Sequence, residues 1–165
     1  MNQAEGRGSI AVRPARESDL PSLGRLGASL IHTHFAFDPQ RFMAPPSQPE
    51  EGYAWFLGTQ LREPDVCVLV AEDGDEVVGY VYAALEPHSW KELRDAAGFI
   101  HDVAVAEGHR GRGIGSLLIS GASEWLRARG APRVLLWTAE RNLAARQLFT
   151  RLGFRTTLVE MTREL

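Results

Sequence analysis

The feature that most constrains this chain is a turn, Arg110-Gly111-Arg112-Gly113-Ile114-Gly115. It follows the apolar run Phe99-Ile100-His101-Asp102-Val103-Ala104-Val105 by way of Ala106-Glu107-Gly108-His109. It leads at once into Ile114, Leu117, Leu118, Ala122 and Trp125, whose spacing is helical. A strand that enters a helix through glycines leaves several backbone N–H groups unpaired and aimed at one spot. The helix dipole adds partial positive charge there. Glycine lets a phosphate approach the backbone closely, and Arg110 and Arg112 are placed to add charge-assisted contacts. The turn is a candidate anion cradle; the plainer alternative is a glycine-rich turn that holds nothing.

Three phosphate-binding patterns compete for it. A P-loop ends in Gly-Lys-Ser/Thr, and Lys91, the only lysine, lies elsewhere. The dinucleotide fingerprint G-x-G-x-x-G needs a third glycine, where this chain has Ser116 or Leu118. The pattern R-x-x-G-x-G is met in full by residues 110–115.

The remaining sequence sets the frame. The 165 residues and a hydrophobic fraction of 44% fit one domain with a real core, expected over residues 9–165, behind a short disordered tail at residues 1–8. No stretch approaches the roughly 18–20 apolar residues of a membrane helix, and Met1–Ser9 lacks the apolar core of a secretory signal. A net charge of −3 without a long run of one sign argues against nucleic acid as the main partner. The single cysteine, Cys67, sits inside Val66-Cys67-Val68-Leu69-Val70 and reads as a buried structural thiol rather than a nucleophile. A cytoplasmic location is the default.

Periodicity gives the order β-α-α-β-β-β-α-β-α-β. Ile10–Arg13 is a strand; Glu17-Ser18-Asp19 opens a helix carrying Leu20, Leu23, Leu26 and Leu30. Residues His32 to Gln48 read as irregular, and a second helix runs from near Pro49 to about Arg62. Val66–Glu72 and Val77–Leu85 form a hairpin about Asp73-Gly74-Asp75. Glu86–Ala97 is a loop or short helix. A strand over Gly98–Ala106, a helix stopped by Gly130 and Pro132, a strand over Arg133–Ala139, a helix closed by Gly153 and a last strand from Phe154 to about Arg163 complete it. The fold class is mixed α/β, a twisted sheet with antiparallel and parallel pairs flanked by helices.

Two blocks carry a family likeness. One is the strand, turn and helix from Phe99 to about Gly130 with its R-x-x-G-x-G turn. The other is Asn142-x-x-Ala145-x-x-Leu148-Phe149-x-x-x-Gly153-Phe154. In both blocks, and in element order, the chain resembles the GNAT superfamily of N-acetyltransferases. The resemblance implies acetyl-CoA as donor, with the backbone of Val103 and Val105 pairing with its pantetheine arm. The amides of Arg110, Gly111, Arg112, Gly113, Ile114 and Gly115 would hold its pyrophosphate. Asn142 would contact it where the last two strands splay, a role that coexists with an ordinary helix N-cap. Phe149 would pack against the arm.

The implied reaction is direct attack of an amine on the thioester. An amine with a pKa near 10.4 is neutral to about one part in a thousand at pH 7, a penalty of roughly 4–5 kcal/mol that a base helps offset. His101 is the candidate base: strict alternation puts it on the face of Val103 and Val105, and imidazole suits proton uptake near neutrality. The alternative is a core histidine bonded to backbone. Asp102 then points to the other face as a structural residue, unless a bulge turns it. The family's usual tyrosine is replaced by Phe149, which cannot protonate the departing thiolate; water or one of Tyr53, Tyr80 and Tyr82 is left to do so.

Acceptor choice is expected from the first two helices and their connection (His32, His34, Phe35, Phe37, Phe42) and from Glu86, His88 and Trp90. Glu86 is placed to attract an ammonium group and Trp90 to stack on one, against the plainer reading of ordinary surface or core residues. The partner is an amine, small molecule or protein, and a homodimer is possible at family level. The His32-x-His34 spacing shares no helical face and has no matching cluster, so no metal is expected. The rival function is a GNAT-like acyl-CoA sensor that has lost catalysis, which Phe149 would permit.

Overall fold

Alternation along β2 (Val66–Asp73) divides the molecule into two layers. Cys67, Leu69 and Ala71 enter one core and Val68 and Val70 the other. The computed structural model describes residues 9–165; the tail expected over residues 1–8 lies outside them. β1 (Ile10–Pro14), β2, β3 (Glu76–Glu86) and β4 (Ala97–Val105) pair antiparallel in sequence order, and β5 (Val134–Leu136) adds to β4 in parallel. The helical crossover between β4 and β5 is what permits that parallel pair.

One face is covered by α3 (Ile114–Ala128) and α4 (Leu143–Arg151). Ile114, Leu118, Ile119, Ala122 and Leu126 form a helical stripe buried against Val78, Val81, Ala83 and Ile100. α1 (Leu20–Phe37) and α2 (Pro49–Gln60) cover the other face, with Leu23, Leu26 and Leu57 over Val68, Val70, Tyr80 and Tyr82. The two helices approach closely because Gly27 carries no side chain. A Cβ there would lie 2.0 Å from the Tyr53 ring. At the outer edge, Arg13 of β1 binds Asp19 at 2.7 Å and also Glu72 of β2, and the Arg16 amide donates to Asp19 at 2.7 Å. This clamp fixes where α1 begins.

Three expectations change. α1 continues to Phe37 instead of yielding to irregular chain at His32. The strand expected over Arg133–Ala139 pairs only over Val134–Leu136. The last strand, Phe154 to Arg163, does not form; that segment has no ladder partner. With β5 only three residues long, its far edge offers too little to pair with. Within that segment Glu160 forms an exposed ion pair with Arg41. No described helix is long and apolar enough to cross a membrane.

Candidate functional site

The turn after β4 has the geometry of an anion cradle. Gly111 and Gly113 have φ of 75° and 80°, in the left-handed region that glycine reaches without strain. Gly113 is the N-cap of α3, and no side chain caps the amides that follow it. First-turn amides have no partner inside their own helix, so those beyond Gly113 stay free to bind an anion. Both arginines of the turn are engaged within the protein. Arg110 Nε donates to Val105 O at 3.1 Å, and Arg112 Nη1 to Asp73 at 2.8 Å. They stiffen the cradle, which leaves anion contact chiefly to backbone. A cleft of about 520 Å³ opens beside it, lined by Leu26 and His32 of α1 and by Val105 and Arg110.

β4 offers an open edge next to this cradle. The Ala106 amide donates to Val78 O at 2.8 Å, and Ala104 pairs with Tyr80. Alternate residues of an antiparallel pair point their backbone groups to opposite edges, so Val103 and Val105 direct theirs away from β3. On that side β5 pairs only as far as Ile100. The backbone of Val103 and the Val105 amide therefore face a gap between splayed strands, the Val105 carbonyl already taking the Arg110 bond.

Above the gap the register of β4 breaks. Tyr82 pairs with Asp102 and Ala83 with Ile100, so His101 is an extra residue with no partner on β3. The bulge corrects the expected facing. His101 does not share the face of Val103 and Val105, which pack on the α3 side. It turns to the α1/α2 face beside Asp102, because one inserted residue reverses the alternation. Its ring stacks between Phe99 and Tyr82, each 4.8 Å away, and Nε2 lies 2.9 Å from Glu86 Oε1. Nδ1 has no protein partner among the described residues. Asp102 is half-buried and accepts hydrogen bonds from the Tyr53 and Tyr80 hydroxyls, the latter at 3.2 Å. Burial raises its pKa; the two tyrosine donors and the nearby His101 and His34 oppose that rise.

A model described as the acetyltransferase (GNAT) family matches residues 30–154. The chain belongs to this family. It is 34% identical over 133 residues to a mycothiol acetyltransferase of Beutenbergia cavernae, covering 74% of this chain and 40% of that one. It is 33% identical over 152 residues to a phosphinothricin N-acetyltransferase of Streptomyces coelicolor, covering 91% and 84%. Among solved structures it resembles the aminoglycoside N-acetyltransferase AAC(6')-Iy in complex with CoA, with a TM-score of 0.75 over 98% of both chains. At 15% identity that likeness shows the fold. GNAT enzymes draw on acetyl-CoA; this chain spans less than half the length of the mycothiol acetyltransferase it matches.

Within this GNAT frame the other expected residues are placed as follows. Asn142 caps α4, its side chain accepting from the Ala145 amide at 3.1 Å. Phe149 lies in the α3-side core at 7% exposure, edge to face with Phe154. The three tyrosines named as stand-ins for its missing hydroxyl are already engaged, Tyr53 and Tyr80 with Asp102 and Tyr82 with Gln60 at 3.0 Å. Burial raises the pKa of all three, which makes them poor acids. Cys67 is buried and its thiol is pushed up to about 11, as suits a structural residue. His34 donates from Nδ1 to Leu30 O at 2.8 Å and packs on Phe37 and Phe42. Among the described residues no group of three His, Cys, Asp or Glu is gathered as a metal site requires. Trp90 is exposed, and Glu86, weighed as an ammonium attractor, pairs with His101 instead. Sequence reasoning missed that pairing and the Tyr53–Asp102–Tyr80 network. Both depend on a register that no local pattern encodes.

Proposed function

We propose that this GNAT domain moves an acetyl group from acetyl-CoA to a primary amine, which attacks the thioester directly, with His101 as general base. The His101–Glu86 pair beside the open edge of β4 carries the reading. The Val103 and Val105 backbone pairs with the pantetheine arm, and the amides from Arg110 through Gly115 hold the pyrophosphate. Asn142 keeps its amide nitrogen for the donor while its oxygen caps α4. Phe149 backs the arm from the core.

The hydrogen bond to Glu86 assigns the tautomer. Nε2 carries the proton given to Glu86, which leaves the Nδ1 lone pair to take one from the amine. Glu86 then faces the imidazolium that forms. Neutralising the amine is the larger demand, roughly 4–5 kcal/mol at pH 7. Expelling the thiolate unprotonated costs only about 2 kcal/mol there, so water suffices where the family's tyrosine is absent.

His101→Ala is expected to lower kcat/KM for the amine about 10²- to 10⁴-fold, with KM for acetyl-CoA within about twofold. Unchanged kcat/KM across pH 6–9 would exclude the assignment. Phe149 favours one rival, an acyl-CoA sensor without catalysis; amine-dependent thiol release separates the two. Acceptor identity stays at the level of a primary amine, small molecule or protein. A cytoplasmic setting goes with this donor and with the buried thiol of Cys67. A homodimer through the C-terminal segment belongs to the same reading, supported by the exposed Leu158, Val159 and Met161 and tested by sedimentation.

A further inference from the structure

We propose that Tyr53 and Tyr80, acting through Asp102, are positioning residues that hold the β4 bulge and present His101 to the amine. The inference rests on the reading of His101 as base. A bulge interrupts its ladder, so something must hold the extra residue in one conformation. Here His101 and Asp102 point to the same face in succession, and Asp102 is the one that is tied down. Its carboxylate accepts from Tyr53 on α2 and Tyr80 on β3, so the bulge is pinned to two separate elements. Gly27 of α1 is part of the same arrangement, since any side chain there would displace the Tyr53 ring.

The chemistry of the network argues for more than packing. Asp102 is a half-buried carboxylate with no hydrogen bond from arginine or lysine among the described residues; its donors are two neutral hydroxyls. A core that needed only cohesion would be served as well or better by apolar side chains. What apolar side chains cannot supply is a fixed negative charge next to an imidazole. In contact with the His101 ring are Glu86 and Tyr82 from β3 and Phe99 from β4; Asp102 follows it in the chain, bonded to Tyr53 of α2 and Tyr80 of β3 with His34 of α1 near it, and Trp137, just past β5, packs on Phe99. Two of them are carboxylates, Glu86 in contact with the ring and Asp102 next in the chain. A proton taken up by His101 is thus stabilised by carboxylates on two sides, while the tyrosine hydrogen bonds hold Asp102 in place and favour its charged form against desolvation.

The test reads His101 without needing the acceptor. In a ring-proton NMR titration of the apo domain, Asp102→Asn is expected to move the His101 signal to lower pH by about half a unit or more. The acidic limb of kcat/KM should move the same way, measured with the best substrate from a panel of arylalkylamines, polyamines, aminoglycosides and a peptide N-terminus. Tyr53→Phe and Tyr80→Phe, which keep the ring and remove one donor each, should lower kcat about tenfold and leave KM for acetyl-CoA within about twofold. A purely structural role would lower melting temperature and leave the titration and kcat in place, and that result would overturn the proposal. Should Asp102→Asn fail to fold, parental kcat in both tyrosine variants overturns it equally. A silent His101→Ala together with a moved ring signal would overturn the base and keep the coupling; an unmoved ring signal overturns the coupling whatever His101→Ala does.

Discussion

Between Ile100 and Asp102 the chain adds one residue that β3 does not match, and the candidate base is that residue. Strict alternation would have placed His101 with Val103 and Val105; the bulge puts it on the opposite face. Glu86 lies fifteen positions away on another strand, and only the observed register brings it to 2.9 Å. Glu86→Gln removes the charge facing the ring; kcat is expected to fall about tenfold and the acidic limb of kcat/KM to move to lower pH. The glycine turn, by contrast, was legible because its requirement is local. Gly113 sits at φ 80° with open space where a Cβ would lie. Gly113→Val therefore meets backbone strain without collision, about 1–3 kcal/mol. A urea melt should show that loss, and steady-state kinetics a raised KM for acetyl-CoA.

At the scale of elements, the ones set by their own periodicity were readable and those that depend on a neighbour were not. The buried stripe of α3 follows its sequence spacing directly. Phe154–Arg163 has strand-like composition, yet β5 leaves no edge long enough to receive it. α1 runs past His32 because His34, Phe37 and Phe42 pack on one another, and Arg141 donates to Phe37 O at its end. In the proposed mode of binding, Asn142 joins its observed cap of α4 to a contact with the donor. Asn142→Ala should cost about 1 kcal/mol in a thermal or urea melt through loss of the cap, and also raise KM for acetyl-CoA. The clamp at the start of α1 carries a pH dependence. The hydrogen bonds from Arg13 hold the Asp19 carboxyl below its usual range, and burial opposes them only in part. A lowered folded-state pKa gives stability that is present above the unfolded value, near 3.9, and is lost as pH falls through the folded one. Urea melts at pH 7 and pH 3 should therefore show a larger loss for the parent than for Asp19→Asn.

In the whole molecule, a sheet separates two cores with different tasks. The α3 side is apolar, buries Phe149 and anchors the helix whose N-terminus meets the pyrophosphate in the proposed mode of binding. The α1/α2 side carries the polar groups to which the proposed mechanism gives the proton, His101 with Tyr53, Tyr80, Tyr82 and Asp102 around it. The splay between β4 and β5 joins the two, and in the proposed mode of binding donor and acceptor meet there. Binding of acetyl-CoA across this gap should stabilise the folded domain by about 2.7 kcal/mol at a hundredfold excess over Kd. Release of free thiol from acetyl-CoA, followed over a panel of primary amines, tests the central claim most directly. Release that needs both an amine and His101 is expected. Thermal stabilisation by acetyl-CoA with no release for any amine would contradict it, and would leave a domain that senses acyl-CoA without transferring it.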